Sequence, residues 1–306
     1  MKILITGGAG FIGSHLVEHY QGIADITVLD DLRSGYRSNI GGFKCNFLEG
    51  SITDRELVRE AMDGADYVFH LAAMVSVPES MSDPIECAHV NVLGLLNVLE
   101  IAAVSGVKKV VFASSAAVYG DNPTVPKTED MTPEPKSPYA ITKLDGEYYL
   151  EMFRKERGLQ TASLRFFNVF GPRQDPKSAY AAAVPIFIQR ALREDDIIIY
   201  GDGEQTRDFI YVEDVVRALA HITSCGGAKG VFNVGYGNSI TVNQLAEEII
   251  MRSRSNSKLV YKSERSGDVK YSRACVARLR KSGYQVEGDL LGGLSQTIAS
   301  FKNPQL

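Results

Sequence analysis

Two serines, a tyrosine and a lysine bracket the stretch of this chain best equipped for chemistry. Ser114 and Ser115 follow an apolar run (VVFA), and a Pro-rich loop then leads to Tyr139 and Lys143, four residues apart. If Pro138 opens a helix, Tyr139 and Lys143 share one face about a turn apart, roughly 5 to 6 Å between Cβ atoms. A phenol titrates near ~10, so turning it into a base at neutral pH means lowering it by about three units, roughly 4 kcal/mol of preference for phenolate. An ammonium about 5 Å away at an effective dielectric of 20 supplies on the order of 3 kcal/mol. Lys143 is therefore expected to supply most of the shift, and Ser115, at the end of a strand, to share the proton being moved. A lone Tyr-x-x-x-Lys also fits two surface residues of any helix, so the elements that hold it must decide.

With 306 residues, 44% apolar and 23% charged, the chain can build one large or two modest cores. A net charge of -4 leaves no basic footprint for nucleic acid or an anionic membrane, so any bound phosphate must be held by local groups. No run of about 18 apolar residues occurs, and with a first strand expected from Lys2 no signal peptide is expected. Cys45, Cys87, Cys225 and Cys275 are isolated, without CxxC or a neighbouring His at metal spacing. They are expected to be reduced packing residues of a cytoplasmic protein that holds no metal.

Residues 2 to 30 read as a strand (KILIT), a Gly-rich turn, a helix (SHLVEHYQG) and a second strand (ITVLD). Gly7, Gly10 and Gly13, three apart, would permit a tight turn and a close approach of backbone to a pyrophosphate, which the helix N-terminus attracts. Asp30 ends the next strand, where an acid accepts hydrogen bonds from ribose hydroxyls and repels a 2'-phosphate. That favours NAD over NADP, with Arg33 the one contrary sign. A nicotinamide cation could then complete the shift on Tyr139.

Short apolar strands alternate with helical segments through FKCNFLEGSI, DRELVREAM, DYVFHLAA, a helix from Pro84 to Ser105, and KKVVFASS. The pattern predicts an α/β fold, a doubly wound parallel Rossmann sheet with right-handed crossovers. His70 to Ala73 falls at a strand end where such sheets place ligands, with His70 read as a packed residue and Ala72 and Ala73 as room for the cofactor. The Tyr139 helix continues with Leu144, Tyr148 and Met152 spaced by four. With the helix VNVLGLLNVLEIAAVSG it could form a dimer surface or pack internally. Beyond Asn168 the pattern loosens into a smaller mixed α/β C-terminal lobe. The expected division is a cofactor domain over 1–168 with returns near 206–236, around Phe209 and Phe232, and a substrate lobe over 169–205 and 237–306.

With the glycine turn, HLAA, Ser115, Tyr139 and Lys143 in order, and with RFFNVFGPRQDP and YGDGEQTRDFIYVEDV further on, nearly the whole chain resembles the extended short-chain dehydrogenase/reductases. It is most similar to the UDP-hexose 4-epimerases, in particular the branch acting on UDP-N-acetylhexosamines. The resemblance implies an NAD enzyme of UDP-sugars that works as a homodimer. In that family the tyrosine removes the O4 proton while hydride leaves C4 for tightly held NAD+, and the 4-keto sugar turns over before hydride returns to its opposite face. The family's catalytic hydroxyl falls on Ser115, its base on Tyr139 and its lysine on Lys143, which also holds the nicotinamide ribose.

The same resemblance implies that the cofactor lies along Gly7, Gly10, Phe11, Ile12, Gly13, Asp30 and Asp31, then Ser51, Ile52, Leu71, Ala72, Ala73 and Asn91, and finally Tyr139 and Lys143. Ser51 stands where the family usually carries an Asp for the adenine amine. On the substrate side it places Asn168 and Arg207 on the diphosphate, Tyr200 against the uracil, and Arg265 and Asp268 on phosphate and ribose, with Ser76, Val184 and Ser115 also in contact. The position that distinguishes sugar size in that family falls on Ser272, where enzymes restricted to glucose and galactose carry a bulky Tyr, so the resemblance implies space for an N-acetyl group unless neighbouring Tyr271 swings inward.

Absences narrow the reaction. Ala116 and Ala117 occupy the positions of the dehydratases' Asp-Glu pair, and alanine cannot transfer a proton. Asn168 and Asp175 replace the Thr and Arg of the UDP-glucuronate epimerases, so a neutral sugar is favoured. The expected activity is 4-epimerisation of UDP-GlcNAc and UDP-GalNAc, with UDP-glucose and UDP-galactose still open. The alternatives are an epimerase of UDP-glucose and UDP-galactose alone, a net reductase or dehydrogenase of a nucleotide sugar, and a non-catalytic dinucleotide sensor.

Overall fold

The alternation of strands and helices builds one seven-stranded, all-parallel sheet, ordered Gly230–Val234, Gln160–Phe166, Lys109–Ser115, Tyr67–His70, Lys2–Thr6, Asp25–Asp30, Asn46–Glu49. The structure, a computed structural model, describes residues 1–176, 183–264, 270–286 and 288–302. Strand side chains alternate between faces, and both faces are dry. Ile3, Ile5, Val28, Phe69 and Val111 pack on one side, with the core that takes in helices Phe11–His19 and Val212–Ser224. Leu4, Leu29, Val68, Val110 and Phe112 pack on the other, with helices Arg55–Ala61, Gly94–Val104 and Pro138–Arg157. Each such side chain contributes about 1.5–3 kcal/mol of burial, which makes the sheet a stiff platform for whatever projects from its ends.

The chain winds outward in both directions from the central pair Lys2–Thr6 and Tyr67–His70, so a crevice opens at their C-terminal ends, the topological switch point of a doubly wound sheet. The Gly-rich turn, His70 to Ala73 and Ser115 all reach that edge. The long helical run from Pro84 is interrupted by a π-helical turn, His89–Leu93, before continuing as Gly94–Val104. By length and composition Pro84–Val104 could cross a membrane, but half of it is buried within this fold.

Beyond Phe166 the strands are short and pair among themselves. Asn168–Phe170 runs parallel to Phe209–Tyr211, Thr206–Arg207 antiparallel to Ile240–Thr241, and Ile197–Tyr200 parallel to Leu259–Lys262. Around them Phe170, Phe187, Ile199, Phe209, Tyr211 and Leu245 form a third core. The return to the large sheet expected around Phe232 is its edge strand, Gly230–Val234. The return expected at Phe209 is corrected: that strand stays in a sheet of its own. Its alternation explains why, since Phe209 and Tyr211 face the third core while Ile210 faces the first, so the segment staples the two cores together.

Candidate active site

Gly7 has φ +72, and a Cβ there would lie 2.6 Å from the Ala72 backbone nitrogen; one on Gly13 would lie 2.1 Å from the Gly7 carbonyl oxygen. A side chain at either position would push turn, helix and neighbouring strand apart. Helix Phe11–His19 has no side-chain cap and no acid in its first turn, which leaves its leading amides and dipole to an anion. Asp30 is buried, its Oδ2 accepting from Ala9 N at 2.9 Å and its Oδ1 from Leu32 N at 2.8 Å. Burial pushes its carboxyl up and these amides pull it back. Arg33 lines the same cleft but is held by Glu86 at 2.6 Å and by Asp31, so its charge is already matched by carboxylates. A glycine cradle, bare helix amides and a fixed carboxylate fit NAD, and nothing here invites a 2'-phosphate.

Ser115 ends strand Lys109–Ser115, where its Oγ accepts from Ala117 N at 3.1 Å. Ser114 points the other way and donates to buried Glu147 at 2.5 Å. Glu147 is bound by both forks of Arg165, at 2.8 and 2.7 Å, so Ser114 belongs to a buried ion-pair network and Ser115 alone is placed for chemistry. Pro138 does open the helix, Pro138–Arg157, with Ser137 Oγ capping Ala140 N at 3.2 Å and Gly158 closing it in the left-handed region. Tyr139 N donates to Ser80 Oγ at 3.2 Å.

Lys143 is buried, donates to Ala113 O at 2.8 Å, and its Nζ lies 5.7 Å from the Tyr139 ring centre. Burial lowers its pKa to about 8. The expectation that Lys143 supplies most of the downward shift on Tyr139 is corrected here. Burial raises the phenol, with the Ser115 hydroxyl pulling against it. The same desolvation weakens the lysine's own charge, so a second positive group is needed for a phenolate. His70 is, as read, a packed residue: its Nδ1 meets Thr6 Oγ1 at 2.8 Å, its ring stacks on Phe112, and burial holds it neutral at about 3.

One cleft of about 770 Å³ runs from the glycine turn to Ser272. Its walls bring together Gly7, Gly10, Phe11, Ile12, Gly13, Asp30, Asp31, Ile52, Leu71, Ala72 and Ala73 with Ser115, Tyr139, Lys143, Asn168, Arg207 and Ser272. Five expected contacts lie off the wall. Ser51 turns its Oγ to Thr53, accepting from N at 3.2 Å and Oγ1 at 2.9 Å. Asn91 spends its amide on both backbone groups of Met74, at 2.7 and 3.1 Å, and so shapes the wall from behind. Ser76 caps helix Val77–Ser82, while its neighbours Val75 and Val77 face the cleft. Val184 is 1% exposed in the third core, and Tyr200 ends strand Ile197–Tyr200 outside the lining. Arg265 and Asp268 lie outside the described residues.

Several lining residues had no signal in the sequence. Tyr119 and Lys127 line the cleft together with Ala116 and Ala117. Asp208 matters without lining the cleft: it is fully buried, and burial pushes its carboxyl up to about 6 against the pull of three backbone amides and Arg273.

Comparison with known proteins agrees with this geometry. Residues 3–235 match the model of the NAD dependent epimerase/dehydratase family. The chain belongs to that family. NAD is therefore its cofactor. Among solved structures, this NAD dependent epimerase/dehydratase resembles the UDP-glucose 4-epimerase of Thermotoga maritima with UDP-glucose, at 40% identity and a TM-score of 0.95 over 100% of both chains. It is equally similar to the UDP-N-acetylglucosamine 4-epimerase of Methanobrevibacter ruminantium in complex with UDP-N-acetylmuramic acid, at 38% identity and TM-score 0.96 over 99% of this chain and 98% of that one. The Thermus thermophilus UDP-glucose 4-epimerase complex with NAD follows at 35% and 0.90 over 99% of each.

Proposed function

We propose that this family member is a UDP-hexose 4-epimerase that interconverts UDP-GlcNAc and UDP-GalNAc and also accepts UDP-glucose and UDP-galactose. The observation that carries the wider substrate range is the pair Tyr271 and Ser272. Ser272 lines the cleft, while Tyr271 is 42% exposed, does not line it, and has the Lys270 ammonium 5.8 Å from its ring centre. The segment runs alongside Thr206, with Ser272 N donating to Thr206 O at 3.1 Å, so successive side chains alternate and Tyr271 is turned away from the cleft. The space beside the sugar is therefore bounded by a hydroxymethyl, which leaves room for an N-acetyl group and does not reject a smaller sugar.

NAD+, when bound, would accept the C4 hydride and later give it back, and would add a positive charge to the site. Tyr139 Oη then takes the O4 proton, with Ser115 Oγ sharing the hydrogen bond, and returns it to the same oxygen after the 4-keto sugar has presented its other face. Lys143 supplies the fixed positive charge behind the phenol. Ala116 and Ala117 stand in the wall beyond Ser115 and offer no proton donor for dehydration.

The purified protein should convert UDP-GlcNAc to its C4 epimer at a rate equal to or above that for UDP-glucose, with no added reductant, as followed by chromatography. Conversion of UDP-glucose alone would overturn the N-acetylhexosamine reading. Replacing Ser272 by Tyr should cut kcat/KM for UDP-GlcNAc about tenfold or more while sparing UDP-glucose, because a phenol would fill the space of the N-acetyl group. The exposed apolar residues Leu93, Tyr148 and Met152, on the two helical runs named in the sequence, support a homodimer, which sedimentation would test.

A further inference from the structure

Three residues that line the cleft, Asn168, Arg207 and Ser272, come from three separate segments, joined by the short ladder of Asn168–Phe170 on Phe209–Tyr211 and by backbone bonds between Thr206 and the 270–272 segment. One residue, Asp208, meets all three segments, its side chain reaching the Ser272 segment and its backbone the other two. Asp208 is 0% exposed, and its carboxylate accepts from Tyr236 N at 2.8 Å, from Gly237 N at 3.0 Å and from Ala274 N at 2.9 Å. Its own backbone carbonyl accepts from Asn168 Nδ2 at 3.0 Å, and it follows Arg207 directly in the chain. Ala274 lies two residues beyond Ser272, on a segment that Lys127 grips from the far side through Lys127 N to Arg273 O at 2.7 Å and Cys275 N to Lys127 O at 2.8 Å. A Cβ on Gly235 would come within 2.9 Å of Asp208 Oδ2, so the backbone around the carboxylate is cut to its size.

We propose that Asp208 is the positioning residue of the nucleotide-sugar half-site: its buried carboxylate ties the Ser272 segment, through Ala274, and the Tyr236–Gly237 turn to the strand end that carries Arg207, and its own backbone carbonyl also holds Asn168. This rests on the UDP-hexose reading of the cleft. Only an ionised carboxylate offers lone pairs to three donors at once. The amide of Asp208→Asn keeps the size but turns an NH2 toward at least one N–H, which forces the segments apart. The cofactor half, built on the glycine turn and Asp30, shares none of these bonds.

The test uses the full-length holoenzyme with two variants, Asp208→Asn and Gly235→Ala, the second leaving the carboxylate chemically intact and displacing it. Calorimetry with UDP, steady-state epimerisation and bound NAD content are read together. The expected result is that both variants weaken UDP binding and raise KM about tenfold or more, while kcat and bound NAD stay within about threefold. UDP affinity unchanged in both variants would overturn the proposal. So would parallel loss of kcat and bound NAD, or failure of both variants to fold, since either makes Asp208 a support of the whole fold. Unaltered protein that binds no UDP would instead overturn the UDP-hexose reading.

Discussion

Tyr139 is a half-buried phenol whose pKa desolvation raises, and burial of its partner lysine lowers that ammonium's pKa to about 8. A cation brought by the cofactor would favour the phenolate form. Tyr139→Phe should lower kcat about 10²- to 10⁴-fold with bound NAD unchanged, the usual worth of a positioned base. Lys143 carries a testable pH signature in the cofactor-free protein. Its folded pKa lies below the unfolded value of about 10.4, so between pH 8 and that value the unfolded chain binds more protons and stability rises with pH. The urea midpoint of the apo protein should thus climb from pH 8 to 9.5, and Lys143→Met should flatten the climb. These residues were legible because spacing and strand position carry their meaning. Asp208 was not, because its role comes from amides of Tyr236, Gly237 and Ala274, which no local pattern brings together.

At the scale of elements, the helix that bears Tyr139 and Lys143 was readable from its ends. Pro138 fixes the first turn, Ser137 caps it, and Gly158 adopts φ 71 at its close. Ser137→Ala should cost about 1 kcal/mol in chemical denaturation and reduce kcat with it, since the cap sets the first turn that holds the base. The helix from Pro84 was readable only in outline. Its periodicity of 3.6 gives no hint of the π-turn at His89–Leu93, which turns Asn91 inward to satisfy both backbone groups of Met74. That is also why Asn91, expected at the cofactor, supports the wall instead. Val184 was displaced for a similar reason: its helix, Ala183–Leu192, spends its apolar face on the third core.

On the scale of the molecule, the parallel sheet and its switch point follow from strand and helix alternation, while the later lobe is assembled from strands of two to four residues, too short to announce a partner. Two loops far apart in sequence meet over the cleft, where Tyr36 Oη donates to Asp175 Oδ2 at 2.7 Å. Ser34 and Gln174 beside them line the cavity. An exposed bond of this kind is worth about 0.5–1.5 kcal/mol, so Tyr36→Phe should speed loss of bound NAD about two- to tenfold in a desalting time course, with kcat preserved when NAD is in excess. Asp175, whose carboxylate disfavours a uronate by the sequence reading, lines the cleft and also accepts that link.

The position of Gly230–Val234 at the edge of the large sheet has a consequence for biosynthesis. Its one partner strand among the described residues, Gln160–Phe166, leaves the ribosome about 70 residues earlier, an interval on the order of 3 to 14 s at ordinary translation speed. Through that interval the nascent chain carries an open row of backbone donors and acceptors, flanked by Ala162 and Leu164, which the finished fold buries. Chaperone dependence in the cell should therefore track this delay, and a ribosome-stalled fragment ending before residue 230 should be more prone to aggregate than one carried past residue 234.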